Sequence, residues 1–487
     1  MRVKIAIIVS FVIGLAAFLF VCFSSKDATF ATVEIHVDKP SDERIIVLRT
    51  VGGANFWGNR TEVVLDDKNS CSIKIPGEEC GLILVRSDDF AARLIVFAGD
   101  KAHLNVHTLP AGKPVITYTG DNAAGHAYFN SLQRAYIRDV NNPYANDTSA
   151  ASIAHKIAAK EKADLDGLNA LKSNDSISAA YANLARLDIQ YYYAASLADA
   201  MYSKFFIARY VRKDSTLFKP EYAQLLQQAF RKMPLDNASA IQSQYYGELV
   251  TILFETGKDK GSHEQDIYNY SRFIEKHFSD TTGKYLEARY LYYSAIQHNY
   301  EFALVELYRK FVRQYPGNEY IPYLQPEIDK ILAFHQAAEQ DFSKDQAFVK
   351  NYENINSLEA LTSTLKGAVY YVDVWSTFCG PCKEEFKYNP QLTAMLGKNN
   401  VKVLYISLDR EQEDEDWKNM IRYYRLPGFH LRANDALKND IFRKLGRHGT
   451  LTIPRYLIIS NGEIVNADAA RPSSIEKLQK QIDRLAS

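Results

Sequence analysis

Two cysteines near the C-terminal end of the chain, Cys379 and Cys382, have the spacing of a redox pair. The apolar residues before them, 369–375, predict a buried β-strand, and the residues after them predict the start of a helix. Cys379 would then face the unpaired N–H groups and the positive dipole of a helix N-terminus, which stabilise a thiolate. Cys382 lies one turn further on, so it can displace a sulfur bound to Cys379 and close the Cys379–Cys382 disulfide. Pro381 suits the first helical turn, which has no use for its missing N–H.

Other uses of a CxxC motif fit the sequence less well. A zinc site needs a second Cys or His pair, and the chain has no other CxxC. Its HxxxH, from His103 to His107, falls in a predicted strand, where the two rings would lie about 13 Å apart. A c-type haem site needs a histidine where Lys383 stands. A peroxidatic site is disfavoured because Thr377 lies only two residues before Cys379 and the resolving cysteine is too close. We therefore predict a redox CxxC with no metal and no cofactor.

Residues 373–382, Asp-Val-Trp-Ser-Thr-Phe-Cys-Gly-Pro-Cys, resemble the thioredoxin active site, and residues 341–487 resemble the TlpA/ResA-like thioredoxins of bacterial envelopes. The resemblance implies that Cys379 is the attacking thiol and Cys382 the resolving thiol. It implies that Asp373 is an acid buried behind the second cysteine, whose raised pKa lets it accept the Cys382 proton near neutral pH. Trp375 is implied to pack beside the active-site loop and to bind substrate.

A loop that ends in Ile453 and Pro454 matches the cis-proline loop of the same family. The resemblance implies that the backbone of Ile453 is offered to an extended substrate strand, next to Pro454. Two positions depart from the family pattern. Lys387 stands where a helix-kinking proline is usual, with Pro390 the nearest proline, and Tyr405 replaces the lysine that neighbours the buried acid. These departures concern the tuning of pKa values and leave the exchange chemistry intact.

Strands and helices alternate through residues 341–487, which predicts a sheet covered on both faces. Asn461-Gly462, between two apolar runs, is a strong hairpin signal. The predicted strands are 347–349, 369–375, 401–408, 455–460 and 464–466, and the predicted helices are 358–366, 381–396, 413–424, 437–445 and 474–485.

Length, charge and cysteine content limit the number of domains and the classes of protein to which the chain can belong. A chain of 487 residues is too long for one domain, and 47% hydrophobic residues are ample for several cores. Lys plus Arg and Asp plus Glu are balanced at 58 each, so no overall field recruits nucleic acid or an anionic membrane. Five cysteines, two of them in the redox motif, exclude a small domain held together by disulfides.

The N-terminus predicts export. Two basic residues precede an apolar run, residues 5–23, which is long for a signal peptide and just long enough to span a bilayer. Three fates of the N-terminal segment stay open: lipidation at Cys22, an uncleaved inner-membrane anchor, or signal cleavage near Ser24 or Ala31. All three export the remaining chain, because the positive end stays inside.

Residues 30–119 alternate apolar and polar positions in short runs separated by Gly, Asp, Asn and Pro, which predicts a small antiparallel sandwich. The region resembles the β-domain that often precedes TlpA-like domains. Cys71 and Cys80 lie in it and form either a structural disulfide or two separate core thiols. Both alternatives stay open, because the two cysteines are not symmetric about the predicted turn at Pro76-Gly77.

Residues 121–340 show helical periodicity and little Gly or Pro. Twenty of the 32 tyrosines fall between Tyr181 and Tyr323, and they form either an aromatic binding surface or a helix-packing core. The last two helices resemble one tetratricopeptide unit, although an array needs several copies. The predicted helices are 179–202, 223–230, 241–254, 267–278, 285–297 and 302–315.

The sequence thus predicts a multidomain chain with an N-terminal antiparallel β-sandwich, an α-helical middle domain and a C-terminal α/β thioredoxin-like domain. Its predicted function is that of an exported, membrane-tethered thiol–disulfide oxidoreductase of the bacterial envelope that faces the periplasm. The Gly-Pro between the cysteines resembles reducing thioredoxins, with potentials of about −270 mV, so we expect it to reduce disulfides of envelope proteins. The expected partners are protein disulfide substrates, a transmembrane electron donor, and the membrane through the N-terminal segment. The alternative is an envelope binding or scaffold protein whose β and helical domains bind a protein partner.

Overall fold

The computed structural model describes residues 29–107, 114–138, 142–257, 263–446 and 451–486. The predicted export segment, with Cys22, lies outside the described residues. The chain divides into two compact units. The first comprises the described residues up to Arg289 together with Tyr315–Tyr323, and the second comprises Tyr290–Gln314 and Leu324–Ser487. Within the described ranges, no helix combines the length and apolar composition that crossing a bilayer requires.

The first unit begins with short strands that form a two-sheet sandwich. They are β1 (Phe30–Val37), β2 (Arg44–Leu48), β3 (Arg60–Val64), β4 (Ser70–Pro76), β5 (Gly81–Arg86), β6 (Ala91–Val96), β7 (Lys101–His107) and β8 (Val115–Gly120). One sheet has the order β4-β1-β7-β8 and the other has the order β3-β2-β5-β6. Every second residue of β1, from Ala31 to Val37, is buried, because side chains alternate between the two faces of a strand. These inward residues form the core between the sheets.

The sandwich is not purely antiparallel. β1 pairs with β7 in parallel, whereas β1 pairs with β4 and β7 with β8 in the antiparallel sense. The chain leaves this sheet twice to build the other one before β7 returns beside β1, as a parallel pairing requires. The prediction of an antiparallel sandwich is therefore wrong for this pair. The alternation of apolar residues is the same for both strand directions and could not distinguish them.

Cys71 and Cys80 are both free thiols, so the structural disulfide considered above is not formed. Cys71 is the second residue of β4, and Cys80 follows the turn beyond the end of that strand. The five residue steps from Cys71 to Pro76 alone span about 16 Å, more than a disulfide allows between Cα atoms. Cys80 is buried in the core, where its thiol faces the carbonyl of Ile75 at 3.7 Å.

Helices complete the described part of the first unit. They are α1 (Ala123–Ser131), α2 (Ala150–Ser173), α3 (Ala179–Phe206), α4 (Pro220–Lys232), α5 (Tyr246–Gly257), α6 (His263–His277) and α7 (Asp280–Ala295), whose last residues belong to the second unit. Ser149 and Ser178 cap α2 and α3, each accepting a hydrogen bond from a backbone N–H three residues on. The sequence analysis did not predict α1 or α2.

The tyrosines of these helices pack in the interior. Tyr181, Tyr191 and Tyr246 are among the largest fully buried side chains. The Tyr191 hydroxyl donates to the carbonyl of Pro234 at 2.6 Å, and the Tyr246 hydroxyl donates to the carbonyl of Leu235 at 2.6 Å. The burial of these rings, with the hydroxyls of Tyr191 and Tyr246 bonded to backbone carbonyls, favours the packing interpretation of the tyrosine-rich region.

The second unit is built on a six-stranded sheet with the order β14-β13-β10-β11-β12-β9. Its strands are β9 (Gln346–Phe348), β10 (Val369–Trp375), β11 (Val401–Ser407), β12 (Gly428–Arg432), β13 (Arg455–Ser460) and β14 (Glu463–Asn466). β9 to β12 run parallel, and β13 and β14 pair antiparallel. Asn461 and Gly462 have φ values of +50° and +86°, as the predicted hairpin turn requires. The sequence analysis did not predict β12.

The helices of the second unit include two that precede the sheet in the chain, and the second of these begins in the first unit. They are α8 (Phe302–Gln314), α9 (Ile321–Ala338), α10 (Leu358–Ser363), α11 (Gly380–Glu385), α12 (Asn389–Lys398), α13 (Asp414–Tyr423), α14 (Asp435–Leu445) and α15 (Ile475–Ala486). β10 is buried along almost its whole length, as expected of a central strand covered on both faces. It leads directly to the two cysteines.

Candidate active site

The disulfide between Cys379 and Cys382 lies where β10 passes into α11. Cys379 is the N-cap residue of α11, and its sulfur accepts a hydrogen bond from the backbone N–H of Cys382 at 3.2 Å. The Cα atoms are 5.3 Å apart and the sulfurs are bonded, so the predicted Cys379–Cys382 disulfide is formed. Cys379 keeps 5% of its surface exposed and Cys382 none. A partner thiol can therefore reach Cys379 before Cys382, as the predicted roles require.

The helix after the cysteines is broken rather than continuous. α11 ends at Glu385, a 3-10 turn follows over Phe386–Tyr388, and α12 starts at Asn389. Pro390 occupies the first turn of α12, where its missing N–H costs nothing. In a continuous helix its ring would clash with the carbonyl four residues earlier. The prediction of one helix over 381–396 is therefore corrected, and Pro390 supplies the break that the family pattern places at Lys387.

Asp373 is buried in the middle of β10. Only 2% of it is exposed, and none of the described residues supplies a hydrogen-bond partner for its Oδ1 atom. Burial, together with the nearby carboxylate of Glu385, raises the pKa of Asp373 well above its ordinary value. The chain thus holds a carboxyl that keeps its proton at a higher pH than an exposed aspartate does.

Two tyrosines flank Asp373 on the neighbouring strands. Tyr405 of β11 and Tyr456 of β13 are its register partners, and both are buried. The prediction that Tyr405 takes the place beside the buried acid is confirmed. Burial raises the pKa of both phenols, so the sheet offers Asp373 neutral neighbours and no cation.

Glu385 is a buried acid that the sequence analysis missed. It lies three residues after Cys382 in α11, where it accepts hydrogen bonds from the backbone N–H and the hydroxyl of Ser473, both at 2.9 Å. Arg471 Nη1 lies 3.5 Å from its Oε1 atom. The spacing could have indicated its burial. Residues three apart lie on one face of a helix, and Cys382, three residues earlier, faces inward.

Ile453 and Pro454 are joined by a cis peptide bond, as the family resemblance implied. Arg455, the next residue, starts β13 and is paired with Val374 of β10. Because these strands are antiparallel, the cis-proline loop lies at the edge of the sheet where β10 runs toward Cys379. The structure therefore brings the predicted docking loop and the redox pair to one end of the sheet.

Trp375 does not present a surface to substrate. Its side chain is completely buried, with its ring edge-on to Phe386 at 5.1 Å between centroids, which corrects its predicted role in substrate binding. The exposed aromatic residue is Phe378, 67% accessible and adjacent to Cys379. Sequence position alone did not tell which of these rings points outward.

Lys383 is a buried cation directly after Cys382. Its Nζ donates to the carbonyl oxygens of Thr377 at 2.7 Å and His298 at 3.0 Å. Asp409 holds the same loop from the other side, accepting from the backbone N–H of Thr377 at 2.9 Å and from its hydroxyl at 2.7 Å. Burial lowers the pKa of Lys383 to about 8. The loop before Cys379 is thus fixed by an ammonium and a carboxylate that the sequence analysis did not single out.

The turn between α7 and α8, residues 296–301, is the second partner of Lys383. His298 and Tyr300 both adopt positive φ, +56° and +59°, although neither is glycine. Tyr300 stacks on Phe334 with 4.5 Å between ring centroids, and its hydroxyl lies 2.6 Å from that of Tyr424. Its carbonyl oxygen is 2.8 Å from Nε2 of His335. These contacts hold the turn in its unusual conformation, so a piece of the helical region contacts the loop that carries Cys379.

No protein-family model and no curated protein matches this chain. A proposed thiol-disulfide oxidoreductase from Bacteroides vulgatus is 28% identical over 26% of this chain and 78% of its own, with a TM-score of 0.22. The thioredoxin domain of a thiol-disulfide oxidoreductase from Bacteroides vulgatus is 21% identical over 26% of this chain and 83% of its own, with a TM-score of 0.21. A proposed thiol:disulfide interchange protein DsbE from Chlorobium tepidum is 27% identical over 26% of this chain and 84% of its own, with a TM-score of 0.21.

Proposed function

We propose that this chain is a thiol–disulfide oxidoreductase whose working groups are Cys379, Cys382 and Asp373. The observation that carries the proposal is the Cys379–Cys382 disulfide at the start of α11, in which Cys379 is the more accessible residue. The buried acid on the strand that leads to it and the cis-proline loop at the same sheet edge support the assignment.

The reduced enzyme would act in two exchange steps. The Cys379 thiolate attacks one sulfur of a substrate disulfide, forms a mixed disulfide and releases the other substrate sulfur as a thiolate that takes a proton from water. Cys382 then attacks Sγ of Cys379, the mixed disulfide breaks, and the second substrate sulfur leaves. Two electrons have passed to the substrate, which gains two thiols, and the enzyme holds its own disulfide.

Asp373 would take the proton that Cys382 loses in the second step. A thiol proton moves most readily to a base whose pKa lies near the working pH, and an ordinary aspartate is too acidic for that. Burial and Glu385 raise the pKa of Asp373 in the required direction. In the reverse reaction the protonated carboxyl returns the proton to Cys382.

We further propose that the chain works as a reductase and that its substrates are proteins of the cell envelope. The Gly-Pro dipeptide between the cysteines resembles reducing thioredoxins, and an extended segment of a substrate protein would pair with the backbone of Ile453. Continued turnover needs a dithiol donor that reduces Cys379–Cys382, and we assign that role to a transmembrane partner. Export to the periplasmic side and tethering through residues 1–24, by anchor or by lipid on Cys22, belong to the same proposal, as does a sandwich, helical and thioredoxin-like domain order.

Reduction of insulin by dithiothreitol, followed by turbidity with the full chain as catalyst, tests the enzyme. We expect Cys379→Ser to abolish the acceleration and Cys71→Ser, which removes a free thiol in the sandwich, to leave it unchanged. If wild type and Cys379→Ser behave alike, the scaffold alternative stands instead.

The direction of the reaction is a separate measurement. Thiol labelling of the chain in redox buffers gives the potential of the Cys379–Cys382 pair. A value near about −270 mV supports the reductase, and a value well above about −180 mV makes the chain a disulfide donor or isomerase.

A further inference from the structure

A group of apolar side chains is exposed at the C-terminal end of α3. Phe206, Ile207, Val211 and Leu217 are 44%, 42%, 60% and 48% accessible. We call residues 204–219, which contain them, the α3 tip. Single exposed apolar residues are ordinary on protein surfaces, but a cluster of large ones marks a site of interaction.

The backbone at this point presents the cluster as one surface. α3 passes into a π-helical turn over Ile207–Val211, and the backbone N–H of Arg212 donates to the carbonyl of Ile207 at 2.8 Å. Such wider turns are uncommon and are frequent at functional sites. The exposed ring of Phe206 packs on the ring of Tyr210, with 5.3 Å between their centroids.

The segment after the π-helical turn adds a further aromatic contact. Phe218, which follows the exposed Leu217, packs edge-on against Phe205 at 5.5 Å between centroids. The segment after the π turn is thereby held against the end of α3. The apolar surface of the α3 tip therefore includes the end of α3 and the segment that contains Leu217.

The α3 tip is also strongly basic. Its cations are Lys204, Arg209, Arg212, Lys213 and Lys219, against the single acid Asp214. Asp214 is engaged locally, accepting from the backbone N–H of Thr216 at 3.0 Å and from its hydroxyl at 2.6 Å. Arg212, Lys213 and Lys219 are exposed. A chain with no net charge overall thus concentrates positive charge around its exposed apolar residues.

We infer that the α3 tip docks on the surface of an anionic lipid bilayer. Its apolar side chains enter the boundary between headgroups and acyl chains, and its cations lie against lipid phosphates. Bilayer surfaces recognise this combination of a basic face with Phe, Ile, Val and Leu. Protein–protein interface cores are instead depleted of lysine, so the same patch fits a protein partner less well.

This contact is independent of the redox chemistry and of the predicted N-terminal tether. It belongs to folded residues of the first unit, and it would hold that unit at the bilayer surface rather than free at the end of a linker. Anionic headgroups are its ligand class, and no particular lipid is implied beyond that charge.

A tryptophan reporter at the tip tests the inference in the full chain. We expect Ile207→Trp fluorescence to be quenched by vesicles of phosphatidylglycerol with brominated acyl chains, and not by brominated phosphatidylcholine. Val64→Trp is the matched control, since Val64 is 62% accessible in β3 of the same unit and the cation paired opposite it, Arg44, is held by Asp42. Subtracting the unsubstituted chain removes the signal of the native tryptophans.

Charge variants supply the second readout. Each cation at an anionic surface contributes enough that Arg212→Gln with Lys213→Gln should weaken docking of the Ile207→Trp reporter about thirtyfold. Lys39→Gln with Lys68→Gln makes the same charge change at exposed sites of the sandwich and should leave it unchanged.

Three results would overturn the inference. The first is equal quenching of the two reporters, which means that the chain is only held near the vesicle. The second is no quenching of Ile207→Trp, or the same quenching in both lipids. The third is a concentration-dependent dimer that Ile207→Ser dissociates, which would make a second copy the occupant of the tip.

Discussion

At the scale of single residues, burial shifts the pKa values of two groups near the disulfide, Asp373 and Lys383, toward their neutral forms. The pKa of Asp373 rises and that of Lys383 falls to about 8. Asp373 could be predicted because it lies six residues before Cys379 in a recognisable motif. Lys383 could not, because its carbonyl partners belong to Thr377 and to His298, which is 85 residues away. A lysine read from sequence alone is assumed to be solvated.

Asp373→Asn should raise the stability of the protein above about pH 4. The Asp373 carboxyl keeps its proton in the folded chain to a higher pH than in the unfolded chain, so its contribution to stability is fully present below about pH 4 and is lost as pH rises. The asparagine does not ionise, so the variant does not lose stability in this way. Its advantage in unfolding free energy should therefore grow by up to about 1.4 kcal/mol per pH unit above that point, until the folded carboxyl ionises. Urea unfolding at several pH values measures this difference.

The same variant should lose about a hundredfold in the rate of insulin reduction, because proton transfer from Cys382 has lost its acceptor. Asp435→Asn is the control, since the Asp435 side chain is 96% accessible in the same unit. Equal slopes of stability against pH in the wild type and Asp373→Asn would contradict the assigned pKa shift.

Lys383→Met should lower the unfolding free energy at pH 7 by about 1–3 kcal/mol, because two buried carbonyl oxygens lose their donor. Between pH 8 and the ordinary lysine value of 10.5, the unfolded chain binds a proton that the folded chain does not. Wild-type stability therefore gains with rising pH in this window, and the gap to the methionine variant widens. Urea titrations at pH 7, 8.5 and 9.5 check the trend, with Lys387→Met, exposed nearby, expected to be silent. A stability difference between wild type and Lys383→Met that stays constant with pH would show that the pKa of Lys383 is not lowered.

At the scale of elements, the prediction succeeded where one residue pattern dominates. β10, β11 and β13 were predicted from apolar runs, and all are inner strands of the sheet. α2 was missed because Glu161 and Asp164 lie on its buried face, which interrupts the apolar stripe. Their partners, Lys232 and the hydroxyl of Tyr193, come from other helices. Local periodicity cannot show that a distant residue will neutralise a buried acid.

The turn at residues 296–301 offers an element-level test. We expect Tyr300→Phe and Tyr424→Phe to be non-additive, with a coupling of about 1 kcal/mol, because each deletion removes the same hydroxyl–hydroxyl hydrogen bond. Unfolding free energies of the two single variants and the double variant measure it.

Tyr300→Phe combined with Tyr456→Phe serves as the comparison pair, since these hydroxyls share no hydrogen bond, and additivity is expected there. A coupling near zero for Tyr300 and Tyr424 would mean that the turn is not held against the end of α13.

At the scale of the whole molecule, the described cysteines divide into two classes. Cys379 and Cys382 share a disulfide, whereas Cys71 and Cys80 are separate thiols in the sandwich. Burial raises the pKa of Cys71 to about 11 and also raises that of Cys80. The Cys379–Cys382 disulfide could be predicted from its spacing, whereas the state of Cys71 and Cys80 depended on the strand between them.

Alkylation should distinguish the two classes. After mild reduction at pH 7, iodoacetamide should modify Cys379 quickly and leave Cys71 and Cys80 at least a hundredfold slower, because only thiolates react. Peptide mass mapping after timed quenching measures each site, and unfolding in guanidinium should expose all of them. Modification of Cys71 as fast as Cys379 would contradict its raised pKa.

The strand that separates Cys71 from Cys80 also protects the protein from its own reaction. A protein that makes and breaks disulfides for others can be inactivated by an internal cross-link to a spare thiol. Here the two thiols cannot reach one another, and both resist ionisation. We therefore expect repeated oxidation of the described chain to form the Cys379–Cys382 bond and no bond between Cys71 and Cys80.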